Sequence, residues 1–165
     1  ERKFERAGRF KDVDTSPVIS ADGKVIYLAI VDGDFVALRT LDGTTLWAVP
    51  GGSSSFPDVD EKAGAIYLST SDSQVQRISI KDASIVWTLN LKNRGLGSAP
   101  IRIGKSHLAL STSHGGILIL NRNSGEIVWE KQLGYGTLAP PAFDGRRLVV
   151  LTARNYLLVH RVDEN

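Results

Sequence analysis

The chain has 165 residues, of which 42% are hydrophobic and 23% charged, with 20 Lys and Arg against 18 Asp and Glu for a formal net charge of +2. That balance suits one folded domain with an adequate core, and the lack of any cysteine excludes a disulfide-held or thiolate-ligated scaffold. No apolar run approaches the ~18 residues of a spanning helix, so no membrane span is predicted.

The opening segment is basic: Arg2, Lys3, Arg6, Arg9 and Lys11 alternate with Glu1 and Glu5 around Phe4. Its pattern reads as a solvated terminal strand rather than a nucleic-acid or lipid contact. From Pro17 the chain falls into units. The first runs Pro17-Val-Ile-Ser, Lys24-Val-Ile-Tyr-Leu-Ala, Phe35-Val-Ala-Leu and Leu46-Trp47. The second runs Pro57-Asp-Val-Asp, Ala65-Ile-Tyr-Leu-Ser-Thr, Val75-Gln-Arg-Ile and Val86-Trp87. The third runs Pro100-Ile-Arg-Ile, Leu108-Ala-Leu-Ser-Thr, Ile117-Leu-Ile-Leu and Val128-Trp129. The fourth runs Pro140-Pro-Ala-Phe, Leu148-Val-Val-Leu-Thr and Leu157-Leu-Val-His.

The tryptophans are 40 and 42 residues apart, and Pro17, Pro57, Pro100 and Pro140 are spaced 40, 43 and 40. A fixed period near 40 marks a repeat architecture. Short β-branched runs separated by Asp-Gly, Ser-Gly and Asn-bearing breaks read as antiparallel strands joined by tight turns. Four strands per unit, repeated, predict an all-β propeller of four-stranded antiparallel blades. One such sheet cannot cover both faces, so each must bury them against its neighbours. Trp47, Trp87 and Trp129 are expected to act as inter-blade wedges. Phe4 lies 13 residues before Pro17, the spacing from Trp87 to Pro100, and is expected to replace a tryptophan.

These residues also carry a resemblance. Ala37-Leu-Arg-Thr-Leu-Asp42-Gly43-Thr-Thr-Leu-Trp47 and Leu118-Ile-Leu-Asn-Arg-Asn-Ser124-Gly125-Glu-Ile-Val-Trp129 resemble the signature of PQQ-like, quinoprotein-type propeller repeats. Ile78-Ser-Ile-Lys-Asp82-Ala83-Ser-Ile-Val-Trp87 resembles it with alanine in place of glycine. The tryptophans are followed by Ala48, Thr88 and Glu130 rather than aspartate, which argues against WD40 repeats. The family divides into quinoprotein dehydrogenases and non-catalytic scaffolds such as the BamB-like envelope assembly lipoproteins. The dehydrogenases resembled hold quinone and calcium, with paired cysteines under the quinone. Without cysteine and without a calcium-type carboxylate loop, the resemblance points to the BamB-like branch, to a periplasmic location with any signal or anchor outside this chain, and to no cofactor.

The expected organisation is one repeat domain, residues 1–165. Its blade cores are about 17–47, 57–87, 100–129 and 140–162, with 1–16 an outer strand of a preceding or ring-closing blade. Two closures stay open: a small four-bladed ring, or half of an eight-bladed ring, the latter favoured because PQQ-like rings are larger.

Candidate chemistry is sparse. His107, His114 and His160 fall at three different places in the repeat and lack metal-ligand spacing. No G-x-S-x-G elbow is present. The glycine-rich stretches lead into proline and a strand, not into the helix a phosphate cradle needs. No enzyme activity and no metal site are expected. The turn between second and third strands carries Asp32, Asp72, His114 and Arg154 in successive units. The long loops ending at each proline add Phe56, Arg94 and Tyr135. These seven residues are the expected interaction face, since arginines and exposed aromatics serve binding hot spots. The expected function is a protein-interaction scaffold, similar to envelope assembly factors, with protein partners and possible self-association. Alternatives are a fragment of a quinoprotein dehydrogenase, or a sensor ectodomain with ligand-controlled self-association.

Overall fold

A computed structural model describes residues 15–31, 33–53, 55–137 and 139–162. Phe4, Asp32 and most of the expected strand at 1–16 lie outside the described residues. The strands are β1 (Val18–Ile19), β2 (Val25–Ala29), β3 (Asp34–Arg39) and β4 (Thr45–Pro50) in blade 1. Blade 2 holds β5 (Asp58–Asp60), β6 (Ala65–Thr70), β7 (Gln74–Ser79) and β8 (Ile85–Asn90). Blade 3 holds β9 (Ile101–Ile103), β10 (His107–Ser111), β11 (Gly116–Asn121) and β12 (Ile127–Gln132). Blade 4 has β13 (Ala142–Phe143), β14 (Arg147–Leu151) and β15 (Leu157–Arg161). Among the described residues each blade is an antiparallel meander in chain order, the first three with four strands and the last with three. Two 3₁₀ turns, Glu61–Ala63 and Lys92–Arg94, are the helical residues described.

The registers repeat from blade to blade. Tyr27 faces Ala37, Tyr67 faces Arg77, and Ala109 faces Ile119. Across the next pair, Ala37 faces Trp47, Arg77 faces Trp87 and Ile119 faces Trp129. In all three four-stranded blades a bulge follows that pair, one residue before the turn. A bulge inserts one residue and re-aims its neighbours. Here it turns each tryptophan towards the following blade and leaves the residue before it (Leu46, Val86, Val128) 44–51% exposed on the outer wall. The turn itself demands a left-handed residue, met by Gly43 (φ 69), Ala83 (φ 59) and Gly125 (φ 77).

Burial follows strand alternation. One face of blade 1 (Tyr27, Ala29, Phe35, Ala37, Val49) packs on Ile66, Leu68 and Ile78 of blade 2. The other face of blade 2 (Ala65, Tyr67, Val75) packs on Leu108, Leu110, Leu118 and Leu120 of blade 3. Ile103, Ala109 and Ile117 then pack on Leu148 and Val150 of blade 4. Among the described residues no apolar cluster joins blade 4 back to blade 1. Among the described residues the four blades follow one another in an arc, and the outward face of blade 4 leaves Leu151, Leu157 and Val159 at 51%, 64% and 54% exposure.

Candidate interaction face and the seams that position it

The loops leaving β4, β8 and β12 pass directly over the turns between second and third strands. Backbone bonds tie them there: Ser71 N–H to Gly52 O, Leu91 N–H to Ser73 O, and Ala153 N–H to Gly136 O. Gly136 crosses so close to the Ser113 backbone that no Cβ fits. Close backbone passage, not phosphate binding, accounts for glycine in this loop. Loops and turns therefore share one end of the arc, and their side chains meet in two groups.

The first group spans blades 2 and 3. Arg94 donates two bonds to the Glu130 carboxylate, at 2.9 and 2.7 Å. That pairing holds the Glu130 carboxyl below the usual range. His114 Nδ1 donates to Asn93 O at 2.6 Å, and its backbone N–H to Arg94 O at 3.2 Å. The second group joins blades 3 and 4. The Arg154 guanidinium lies 4.3 Å from the Tyr135 ring centroid and donates to its hydroxyl at 3.3 Å. Tyr156 stacks on Tyr135 with centroids 6.1 Å apart. Asp72 is exposed in its turn. Phe56 does not join either group. Being next to Pro57 at the entry to β5, it lines a separate cleft with Asp58, Pro100, Ile101 and Arg102 beside the first strands. Tyr156 and Glu130 complete the two groups and were not expected from sequence, because their partners are set by loop geometry.

Three devices hold the blades in register beneath this face. The first is the tryptophan. Trp87 donates its indole N–H to Arg122 O of blade 3 at 3.1 Å. A Cβ on Gly125 would lie 2.7 Å from the Trp87 ring, so the indole rests on that glycine. Trp47 packs with Ala83 on the cluster between blades 1 and 2, and its ring lies 6.0 Å from Tyr27 and 5.7 Å from Phe35. Trp129 differs. It meets His160 of blade 4 edge-on at 5.8 Å but remains 38% exposed. A cleft of about 430 Å³ opens there, lined by Ile103, His107, Trp129, Leu148, His160 and Val162. Burial, with Lys131 nearby, pushes the His160 imidazole below its ordinary value.

The second device is a buried hydroxyl. Ser69 donates to Ser98 O at 2.6 Å and Ser111 to Ala139 O at 2.8 Å, each reaching the loop that enters the next blade. The third is ionic and belongs to blades 2 and 3. Arg102 donates to Asp58 at 2.8 Å and reaches Asp60 at 3.1 Å, while Arg122 meets Asp60 at 2.9 Å. Burial raises the Asp58 carboxyl, with Arg102 opposing. At Asp60 burial is outweighed by the Ala63 N–H and the two arginines, so its carboxyl is lowered. The signal was present in sequence: Pro57-Asp-Val-Asp and Pro100-Ile-Arg-Ile place opposite charges where the first unit has Pro17-Val-Ile-Ser.

Among the described residues no group of three or more His, Asp or Glu side chains is placed to hold a metal ion. Nor does any described helix have the length and apolarity to cross a membrane. The sequence profile of the outer membrane protein assembly factor BamB matches residues 3–135 and 84–164. The chain belongs to the BamB family of PQQ-like β-propellers. It is 29% identical over 150 residues to BamB of Legionella pneumophila (strain Paris), covering 90% of this chain and 38% of that relative. It therefore spans well under half of the curated BamB it matches. The crystal structure of BamB from Moraxella catarrhalis overlays 92% of this chain and 44% of its own, with TM-score 0.76 at 22% identity. The computationally designed Ika4 protein overlays 94% of both chains, with TM-score 0.70 at 13% identity. At those identities the two structures speak for the fold alone.

Proposed function

We propose that this chain is a non-catalytic protein-interaction scaffold on the periplasmic side of the outer membrane, part of a BamB-type assembly factor. The observation carrying this reading is the BamB family match, together with a loop face on which arginine and tyrosine side chains are fixed in place. Arg94 is held by Glu130, and Arg154 by Tyr135. Fixed side chains lose less rotamer entropy on docking, so such a face suits a protein partner. Tyr135, Tyr156 and Arg154 are the anchor, Arg94 and His114 the flank, and Asp72 the rim; Asp32 belongs to the same set of turns by its place in the repeat. Phe56 serves a separate contact beside the first strands.

Photo-crosslinking in cells tests this reading. A photoreactive residue at Tyr135 or Tyr156 in the parent protein is expected to capture an envelope protein of outer-membrane assembly. The same probe at Asn123, on the opposite rim, is expected to capture none. Capture from Asn123 alone would place the partner on the wrong end of the blades and overturn the assignment.

A further inference from the structure

Directly paired positions run across each blade as a row, from its first strand to its tryptophan. In blade 1 the row is Val18, Tyr27, Ala37 and Trp47, and in blade 3 it is Ile101, Ala109, Ile119 and Trp129. Blade 2 places Asp58, Tyr67, Arg77 and Trp87 in the same row. The row faces blade 3, since Tyr67 and Trp87 pack with Leu108, Leu110, Leu118 and Leu120, and Asp58 bonds Arg102. A seam that is elsewhere apolar has thus received two charges.

Only one of them is answered. Asp58 and its neighbour Asp60 are matched by Arg102 and Arg122 of blade 3, whereas Arg77 makes no ion pair among the described residues. The Arg77 Nε is buried and its N–H finds no acceptor. The hydroxyl of Tyr67, a fully buried side chain, is likewise without a partner. Tyr67 and Arg77 stand directly opposite each other on β6 and β7, so their Cβ atoms lie ~5 Å apart on one face. Burial raises the Tyr67 hydroxyl above the ordinary phenol value, against the pull of Arg77 and Arg122, so it keeps its proton and remains a donor. Asp58, Arg102 and Arg122 also line the cleft beside Phe56, about 390 Å³ in volume, so the charged side of the row borders solvent.

Two adjacent donors, one of them cationic, therefore need an acceptor, and the leucine side chains of blade 3 supply none. A water molecule would accept from both, but it brings two hydrogens that need acceptors of their own and leaves the arginine charge unmatched. An anion brings lone pairs and the missing charge together. We infer that the seam between blades 2 and 3 binds a small monovalent anion of halide size, which accepts from the Tyr67 hydroxyl and the Arg77 Nε–H. This inference stands independently of the scaffold reading, which concerns the loop end of the arc.

The test uses the full chain with bromide as the probe, because bromide scatters anomalously. Crystals grown with sodium bromide are expected to show an anomalous peak within hydrogen-bond distance of both Tyr67 Oη and Arg77 Nε. In solution, bromide replaces gluconate at constant ionic strength. The unfolding midpoint is expected to rise, and above half-saturation each tenfold of bromide should raise the folding equilibrium constant roughly tenfold. Tyr67→Phe and Arg77→Leu, made separately, are each expected to lose that dependence with an unchanged far-UV spectrum. If either variant fails to fold, the peak and the bromide dependence of the unaltered chain decide. Absence of the peak overturns the proposal. A peak without any shift of the midpoint is an adventitious ion only, and overturns it as well. An equal rise in the unaltered chain and both variants is a general salt effect and also overturns it.

Discussion

The seam between blades 2 and 3 and the seam between blades 3 and 4 are built from the same repeat yet are finished to different degrees. In the first, Trp87 rests on Gly125 and bonds Arg122 O, Ser69 bonds the incoming loop, and Arg102 links to Asp58 and Asp60. In the second, Ser111 makes the corresponding loop bond, but Trp129 meets only the edge of His160 and stays 38% exposed. The difference comes from the fourth strand and its turn. In blade 3 that turn supplies both Gly125 and the Arg122 carbonyl, whereas the described part of blade 4 ends before the equivalent turn. A tryptophan in this fold is therefore a wedge only when the following blade brings its outer turn under the indole.

The largest effect is expected where the wedge is complete. Trp87→Ala should cost about 3 kcal/mol, the low end for a large aromatic because the ring is half-buried. Denaturant midpoints read this, with the slope unchanged. Trp129→Ala should cost well under half as much, and equal losses would erase the contrast between the seams.

Next comes the glycine under the ring. Gly125→Ala places a Cβ 2.7 Å from Trp87 at φ 77 and should cost about 2 kcal/mol through displaced packing and left-handed strain. Ala83 holds the same turn in blade 2 at φ 59, so Ala83→Gly relieves strain there. Its greater freedom in the unfolded chain offsets much of that gain. Its midpoint should move by less than about 0.5 kcal/mol, which separates steric crowding by Trp87 from turn conformation alone.

The ionic link is smaller. Arg102→Ala leaves Asp58 without its partner in a half-buried site, while Asp60 keeps Arg122. A cost of about 1–2 kcal/mol is expected, below the loss for a fully buried pair. Arg102→Lys should recover only part of it, because the guanidinium contacts both carboxylates at once. A double variant that adds Asp58→Asn isolates the pairwise share.

The smallest effect is a pH dependence in the unfinished seam. The folded state keeps His160 neutral, so the unfolded chain takes up the proton first as the pH falls. Stability is fully present above the ordinary imidazole value of ~6.5 and declines below it. His160→Leu, which copies Leu120 of blade 3, should flatten that decline. The slope is read from thermal midpoints between about pH 7 and 5.

Much of the architecture is legible in the sequence because it repeats. Period, strand alternation and turn residues are local signals, and every unit restates them. The bulge before each turn is not legible, since it depends on pairing between strands. Ser69 and Ser111 look like ordinary strand residues until the incoming loop carbonyl is placed beside them. The interaction face was legible only as a set of turn positions. Which members touch is fixed by how each loop crosses its turn, so Arg154 finds Tyr135 while Phe56 is carried away to β5. The inter-blade charges could have been found by comparing units position by position, because Asp58 and Arg102 interrupt strands that are otherwise apolar or small.

The central claim is that a tryptophan of this repeat wedges two blades only where the following blade brings its outer turn beneath the indole, as blade 3 does for Trp87 and the described part of blade 4 does not for Trp129. Denaturant midpoints of Trp87→Ala and Trp129→Ala, measured side by side, test it most directly. The account predicts a loss of about 3 kcal/mol for Trp87→Ala and well under half of that for Trp129→Ala. Equal losses would contradict it.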